Sequence, residues 1–323
     1  MSAYRAPLQL DSVTKRYGDG SGGRSPAVDR VDLTVRAGRV YGLLGPSGAG
    51  KTTALRLLAG LAEPTAGRVR VAGASTADRD ALLGRIGYLP PEPSLPGGST
   101  GRELLATVAA LRDVPEDEAE RRIGRLGRRL GVADALDGRL ETLPPGSRRA
   151  IAVAAAVVHE PRVLLLDEPG RDLDHRTRTA VDEVVADLAA DGSTAVVASR
   201  RLGRVEDVAD RLGVLHEGRL VAEGSPDALR AMAAAGGSDP VPPAGPAPPV
   251  DAGVAIDAVV ERVVVEPPGE DDDPDPHGGA DDRPTEDRRV GRPAGQPDGS
   301  DDTTAGGRDE DRPRDRRRPS PRA

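Results

Sequence analysis

The chain has 323 residues, 45 of them basic and 53 acidic, for a formal net charge of −8, and it contains no cysteine, phenylalanine or tryptophan. The lack of cysteine excludes a disulfide framework, a thiol nucleophile and a cysteine-ligated metal site, and the negative charge argues against a nucleic-acid partner. The longest purely apolar run covers only residues 150–158, against the roughly 20 residues of a spanning helix, and no signal-peptide core precedes the chain's first motifs, so we expect a cytoplasmic protein.

Five segments are predicted to be strands, because they are short and either alternate in polarity or are apolar throughout. They are Leu8–Val13, Val31–Val35, Val40–Leu44, Val163–Asp167 and Thr194–Ala198. Helices are predicted over Thr53–Leu61 and Asp172–Ala190. Residues 101–140 are rich in Arg, Glu, Leu and Ala without a strand pattern, which indicates a helical insertion. Short apolar strands separated by helices indicate an α/β domain with a mostly parallel sheet.

The composition changes near residue 235. Residues 236–323 contain 21 acidic residues, 12 arginines and 16 of the 30 prolines. A segment of this kind buries too little apolar surface to offset its ordering entropy, so it is predicted to be a disordered tail. A tail that binds a partner is the alternative. The globular domain is therefore placed at residues 1–235.

Residues 45–52 read GPSGAGKT and lie between a predicted strand and a predicted helix. This is the GxxxxGK[ST] phosphate-binding motif, in which glycines let backbone N–H groups turn toward phosphates at a helix N-terminus. Lys51 is expected to contact the β- and γ-phosphates, and Thr52 to ligate Mg²⁺. An ordinary glycine-rich turn is the alternative, disfavoured because Lys51 is one of only two lysines in the chain. The predicted nucleotide-binding residues here are Gly45, Pro46, Ser47, Gly48, Ala49, Gly50, Lys51, Thr52 and Thr53.

A second motif, LLLDEP at residues 164–169, ends an apolar strand in two acidic residues. In a parallel sheet the carboxyl end of this strand lies beside the phosphate-binding loop. Asp167 is expected to hold Mg²⁺, directly or through water, and Glu168 to act as general base toward the attacking water. Lys51 and Glu168 are the predicted catalytic residues. A simple helix cap is the alternative explanation of the two acids.

With these motifs in place, residues 8–226 resemble the ATP-binding subunit of an ABC transporter. Tyr17 stands where this family has an aromatic residue that stacks on adenine, and the pair Leu173-Asp174 matches the family's D-loop. The family carries a helical subdomain between the two motifs, here at about residues 92–142. Residues 210–226 are similar to the family's closing strands and turn.

The resemblance implies a P-loop NTPase fold of ABC type: a mostly parallel sheet with flanking helices, an amino-terminal antiparallel part and a helical insertion. It implies ATP and Mg²⁺ as cofactors. The implied partners are a multi-spanning membrane permease and, in a homodimer or heterodimer, a second ATP-binding subunit. The chain is then expected on the cytoplasmic face of the cell membrane, held there through the permease.

Three positions depart from the family pattern, and the first is the signature. Where the family has LSGGQ, this chain has LPPGS at residues 143–147. Pro144 removes a hydroxyl, and neither Pro144 nor Pro145 has a backbone N–H to offer a phosphate. The helix dipole remains, and Ser147 is an alternative hydroxyl donor.

The other two departures concern the residues expected around the attacking water. After GYLP the family places a Gln that senses the Mg²⁺ and water and links to the membrane subunit; this chain has Pro91 followed by Glu92. After the strand ending at Ala198 the family places a His, and this chain has Arg200. Arg200 can pair with a phosphate but cannot accept a hydrogen bond from water, and a solvent-facing arginine is the alternative. The residues for MgATP binding are kept, so we predict binding with weakened hydrolysis.

Three functions remain open on the sequence alone. The first is the ATP-binding subunit of an exporter-type transporter with a separate permease. The second is a degenerate regulatory or assembly protein that binds ATP but hardly hydrolyses it. The third, a soluble ABC protein acting on nucleic acid or ribosomes, is disfavoured because such proteins usually carry two cassettes in one chain.

Overall fold

The computed structural model describes residues 8–18, 25–82 and 84–234, so the predicted disordered tail lies outside the described residues. The strands are β1 (Leu8–Lys15), β2 (Val28–Val35), β3 (Val40–Leu44), β4 (Ala66–Val71), β5 (Ala74–Ser75), β6 (Ile86–Leu89), β7 (Val163–Asp167), β8 (Thr194–Ser199), β9 (Arg211–His216) and β10 (Arg219–Gly224). The helices are α1 (Lys51–Leu58), α2 (Arg79–Leu82), α3 (Gly101–Ala110), α4 (Glu116–Arg129), α5 (Pro145–Val157), α6 (His175–Ala190) and α7 (Pro226–Ala234).

The strands form two sheets. A six-stranded sheet has the order β10-β9-β3-β8-β7-β6, in which every neighbouring pair is parallel except β9 with β10. A four-stranded antiparallel sheet has the order β2-β1-β4-β5. These are the parallel sheet and the amino-terminal antiparallel part that the sequence predicts.

The three central strands β3, β7 and β8 are buried along their whole length. Helices cover both faces of such a sheet, which is why these strands are continuously apolar rather than alternating. Their register brings Leu44 opposite Ser199 and Asp167 opposite Ala198. The carboxyl ends of the three strands therefore lie side by side at one edge, where ligands bind in open parallel sheets.

Residues 101–140, predicted to be a helical insertion, contain the helices α3 and α4 and no strand. Helix α3 begins with a capping box, in which the Thr100 hydroxyl accepts from the Glu103 amide and the Glu103 carboxylate accepts from the Thr100 amide. Helix α4 has acidic residues in its first turn and arginines in its last, which suits the helix dipole. The apolar faces of both helices share one core with α5, which includes Leu105, Ile123 and Ile151.

The observed bounds differ from the predicted ones in small ways. Helix α1 begins at Lys51, inside the phosphate-binding motif, and α6 begins at His175 because the Asp174 carboxylate caps it by accepting from the Thr177 amide. The strands β4 and β6 were not predicted. No helix within the described ranges is long and apolar enough to cross a membrane.

Candidate nucleotide-binding site

The loop of residues 45–50 connects β3 to α1 and packs against the end of β9 and the residue before β2. A Cβ atom on Gly45 would lie 2.3 Å from the Leu215 carbonyl oxygen, and one on Gly50 would lie 2.3 Å from the Ala27 carbonyl oxygen. Both residues also have positive φ angles, 156° and 106°. Only glycine fits these positions, so the sequence pattern of the loop follows from its backbone path.

Lys51 occupies the first turn of α1 and is 7% exposed. Its ammonium group donates to the carbonyl oxygens of Gly45 at 2.7 Å and Pro46 at 3.0 Å, so the side chain reaches back across the loop. Burial lowers the pKa of Lys51, while the nearby carboxylates Glu168 and Asp167 oppose this shift. The lysine thus places a desolvated cation at the mouth of the loop, beside two acids.

Thr52 and Asp167 come together across the edge of the sheet. The Thr52 hydroxyl donates to the Asp167 carboxylate at 2.6 Å, and the Asp167 side chain is buried. Burial raises the pKa of Asp167, and the Thr52 hydrogen bond and the Lys51 charge oppose the rise. The sequence predicted this pair as the Mg²⁺ ligands, 115 residues apart in the chain, and the structure brings the two side chains into contact.

Glu168 directly follows β7 and has a φ of 49°, in the left-handed region that residues other than glycine seldom adopt. Its amide donates to the Ala198 carbonyl at 3.0 Å. Burial raises the pKa of its carboxyl group, and the charges of Lys51 and Arg200 work against that shift. A carboxylate with a raised pKa is a stronger proton acceptor once ionised, which suits a general base.

The remaining predicted residues lie around this centre with less burial. Arg200 follows β8, and its Nε atom lies 3.7 Å from the Glu168 carboxylate, with about half of the side chain exposed. Tyr17 is 50% exposed, and the Lys15 ammonium lies 5.0 Å from its ring centroid. Arg200 therefore contacts the predicted base, and Tyr17 lies at the surface with Lys15 over its ring.

The signature stretch starts α5 as predicted. Pro144 is the N-cap residue and Pro145 the first helical residue, without a side-chain hydrogen bond at the cap. A Cβ atom on Gly146 would lie 2.8 Å from the Asp172 carbonyl oxygen, so the start of this helix packs closely against the segment after β7. The Arg148 amide donates to the Pro144 carbonyl at 3.0 Å, which leaves Gly146 and Ser147 with the first N–H groups of the helix.

Glu92 follows Pro91, at the position where the family has its Gln. The structure places its side chain 85% exposed, with the carboxylate 3.6 Å from the Arg171 guanidinium. Glu92 is therefore directed to the surface rather than toward the Thr52–Asp167 pair. It therefore does not take the place of the family's Gln beside Mg²⁺ in this structure.

The sequence reasoning overlooked Arg149. This residue lies in the second turn of α5, is 4% exposed, and donates to the carbonyl oxygens of Asp167 and Glu168 at 2.6 Å each. Its other terminal nitrogen donates to Pro91 at 2.8 Å and Pro90 at 3.2 Å. The sequence did contain one indication: Arg149 directly precedes the apolar helical run of residues 150–158, and an arginine buried in such a place needs partners.

The residues present fit MgATP. The loop offers a curled backbone with a lysine across it, and the Thr52–Asp167 pair offers a hydroxyl and a carboxylate, the hard oxygen ligands that Mg²⁺ prefers. When bound, the metal would neutralise charge on the phosphates.

Beside this site an apolar groove of about 480 Å³ lies between β6 and the helices α3 and α5. Two of its lining residues carry buried polar atoms without a hydrogen-bond partner among the described residues: Arg112 Nε and His159 Nδ1. The other ring nitrogen of His159 lies 3.3 Å from the Ile86 carbonyl oxygen. The groove continues to Pro90, which links it to the segment that Arg149 holds.

Comparison with known proteins decides the family. The ABC transporter family model matches residues 28–171. The daunorubicin resistance ATP-binding protein DrrA3 of Streptomyces coeruleorubidus is 37% identical over 225 residues, covering 69% of this chain and 70% of that protein. This chain belongs to the ABC transporter ATP-binding proteins. The Nod factor export ATP-binding protein I of Burkholderia orbicola is 35% identical over the same length, with 69% and 72% covered.

Other members match over less of their length or only in fold. The daunorubicin/doxorubicin resistance ATP-binding protein DrrA of Streptomyces peucetius is 39% identical over 205 residues, and the match covers 63% of this chain and 62% of that protein. The solved ATP-binding subunit of an ABC transporter superposes with a TM-score of 0.64 at 26% identity, covering 70% of this chain and 92% of that one. The ATP-binding cassette MJ0796, solved as a dimer with ADP and Pi, shares the fold with a TM-score of 0.63 at 24% identity, covering 68% and 98%.

Proposed function

We propose that this chain is the ATP-binding subunit of an exporter-type ABC transporter, that it binds MgATP at residues 45–53, Asp167 and Glu168, and that it hydrolyses ATP slowly. The observation that carries the proposal is the contact between Thr52 and Asp167 beside the curled loop of Lys51. The relatives named for drug resistance and Nod factor export support the exporter assignment.

Each residue has a distinct role in this proposal. The loop amides and Lys51 bind the phosphates, Tyr17 stacks on adenine, and Thr52 and Asp167 hold Mg²⁺. Glu168 accepts a proton from the attacking water, and its raised pKa favours that transfer. Arg200 pairs with the γ-phosphate or with Glu168, which it approaches to 3.7 Å. As a permanent cation it cannot accept a hydrogen bond from the water.

The slow hydrolysis follows from the groups that are missing. Removing one positioned transition-state donor typically costs about 10²–10³ in rate. Pro144 and Pro145 offer no N–H, and Pro91 offers no polar side chain. In an ATP-sandwich dimer, a nucleotide bound to the partner subunit and facing Pro144 would therefore be held more weakly than one that faces an intact signature. A heterodimer would instead pair this chain's loop with an intact signature on a second subunit.

The groove beside the site is the proposed docking surface for a segment of the permease. Residue 91 occupies the family position that links to the membrane subunit, and the groove adjoins it through Pro90. A docked segment would supply partners for the buried polar atoms of Arg112 and His159. A carboxylate on that segment would suit Arg112. The Val108→Glu variant, which places a charge in the groove, should lose co-purification with the permease while keeping MgATP affinity.

The test of the function is steady-state MgATP hydrolysis by the purified full chain, beside Lys51→Ala and Glu168→Gln. Turnover above both variants, with saturable nucleotide binding, is the expected result. Absence of nucleotide binding by the unsubstituted chain would refute the proposal.

The second candidate is a regulatory or assembly protein that binds ATP with hardly any turnover. The departures at Pro91, Pro144 and Arg200 favour it. Nucleotide binding with turnover equal to that of Glu168→Gln would select this function over the first.

A further inference from the structure

Arg149 bridges the residues that follow β6 and the end of β7, two neighbouring strands of the parallel sheet. One terminal nitrogen of its guanidinium donates to the carbonyls of Asp167 and Glu168, and the other donates to those of Pro90 and Pro91. All four acceptors are backbone oxygens. The planar fork of arginine matches such a pattern, whereas lysine presents a single point charge.

The contacts to the end of β7 fix the backbone of Glu168 in particular. The Asp167 carbonyl belongs to the peptide group before Glu168, and the Glu168 carbonyl to the peptide group after it. Arg149 therefore holds both peptide planes that flank the Glu168 Cα atom, each at 2.6 Å. The Ala198 carbonyl holds the amide of Glu168 from the opposite side.

This restraint acts on a strained conformation. Glu168 has a φ of 49°, in the left-handed region that is unfavourable for a residue with a side chain. Such a conformation persists only where the surroundings hold it, and it sets the direction of the side chain. Without Arg149, the backbone of Glu168 is expected to relax toward ordinary φ and ψ angles. The Glu168 carboxylate would then move away from its position at the nucleotide site.

The contacts to Pro90 and Pro91 extend the restraint to the groove. Pro91 has no polar side chain. Binding of a molecule in the groove therefore cannot affect the nucleotide site through hydrogen bonds of that side chain. The backbone carbonyls of the same residues do reach Arg149, and through it Glu168. Helix α5, which begins with the signature stretch, carries the arginine.

We propose that Arg149 is a positioning residue that holds Glu168 in place and ties it to residues 90–91, so that displacement of this segment by a partner changes the rate of hydrolysis. This rests on the proposed function, in which Glu168 accepts the water proton. Arg149 itself touches neither water nor nucleotide in this proposal.

The test uses Arg149→Gln and Arg149→Lys in the full chain, with Arg162→Gln as the control. Arg162 is exposed and precedes β7 at the end of the sheet away from the site. Arg149→Gln should lower kcat by about 10–100-fold, because small misplacements of a catalytic group cost up to this much. The dissociation constant of fluorescently labelled MgATP should stay within about threefold, since the loop and Lys51 are untouched.

Two further readouts separate positioning from general damage. In a Glu168→Gln background, Arg149→Gln should cause no further loss of turnover, because the group it positions is already disabled. Amide hydrogen exchange should quicken together in residues 84–95 and 164–173, whereas Arg162→Gln should leave both segments unchanged. Arg149→Lys should recover part of the protection, and it serves in place of Arg149→Gln if that variant does not fold.

The outcomes are distinct. Unchanged turnover and unchanged exchange in the two segments would overturn the role of Arg149. Equal losses of nucleotide affinity and turnover, in both substitutions, would overturn it in favour of a general structural role. If the unsubstituted chain shows no turnover, the hydrolysis part of the proposed function fails. The hydrogen-exchange experiment then decides alone. Faster exchange in both segments would support the positioning role of Arg149, and unchanged exchange would refute it.

Discussion

Asp182 on α6 should make the protein less stable at neutral pH than at mildly acidic pH. Burial, together with the charge of Asp207, raises the pKa of Asp182 from 3.8 to about 6, and Arg178 opposes the rise. Arg178 is itself held by its hydrogen bond to the Leu173 carbonyl at 3.0 Å. The Asp182 side chain is thus a half-buried acid beside a second acid, with the charge of Arg178 opposing the rise in its pKa.

The direction and size of the effect of Asp182 on folding stability follow from the shift of its pKa. Because the pKa is higher in the folded state, the stability contributed by the proton is fully present below about pH 4 and is lost as pH rises through about 6. A difference of this size corresponds to about 3 kcal/mol at most, at 1.36 kcal/mol per pKa unit. Asp182 is partly exposed, so we expect about 1–2 kcal/mol after solvent screening.

The perturbation is Asp182→Asn, which removes the charge and keeps the shape. Its free energy of unfolding should exceed that of the parent by about 1–2 kcal/mol at pH 8, and this excess should disappear as pH falls below about 4, where the unfolded chain also takes up the proton. Urea unfolding followed by far-UV circular dichroism measures both values. Glu183→Gln, an exposed neighbour on the same helix, is the control and should show no such pH dependence. A variant less stable than the parent at pH 8 would refute the reasoning.

Four further predictions concern the nucleotide site. Lys51→Ala should weaken MgATP binding at least about 10-fold in calorimetry, because it removes the buried cation of the loop; unchanged affinity would contradict the assigned role. Turnover should fall on acidification at a pH above the ordinary range of a glutamate, because burial raises the Glu168 pKa; a rate that is flat down to pH 4.5 would speak against Glu168 as the base. Pro144→Ser should leave ATP binding intact. Combining it with Arg200→His should raise turnover, and a well-folded double variant with no rise would mean that the departures are compensated elsewhere.

Much of the fold was predictable because the central strands are buried on both faces. Segments such as Val163–Asp167 are short apolar runs, and their observed bounds equal the predicted ones. The strand β4, with sequence AGRVRV, was missed because two arginines and a glycine interrupt its pattern. Its position depends on pairing with β1, which local sequence does not encode.

The site residues that belong to short motifs could be predicted, whereas those that are placed by tertiary contacts could not. The Thr52–Asp167 contact could be inferred, since Asp167 ends one parallel strand, Thr52 follows the loop after another, and both strands end at the same edge of the sheet. Arg149 could not be separated from the adjacent Arg148 without knowing that helix α5 turns one of them toward the end of β7. Similarly, the exposed direction of Glu92 depends on the backbone after Pro91, which no motif describes.

The two prolines at the start of α5 have a consequence for how this helix responds to nucleotide. Proline fixes φ, and such substitutions at compatible sites stabilise by about 0.4–1 kcal/mol each through the unfolded chain. Pro144 and Pro145 therefore order the first turn of α5 before any phosphate arrives. The start of α5 is therefore already rigid and gains little order when a ligand binds. We expect nucleotide-dependent movement in this chain to begin at the loop of residues 45–52 instead.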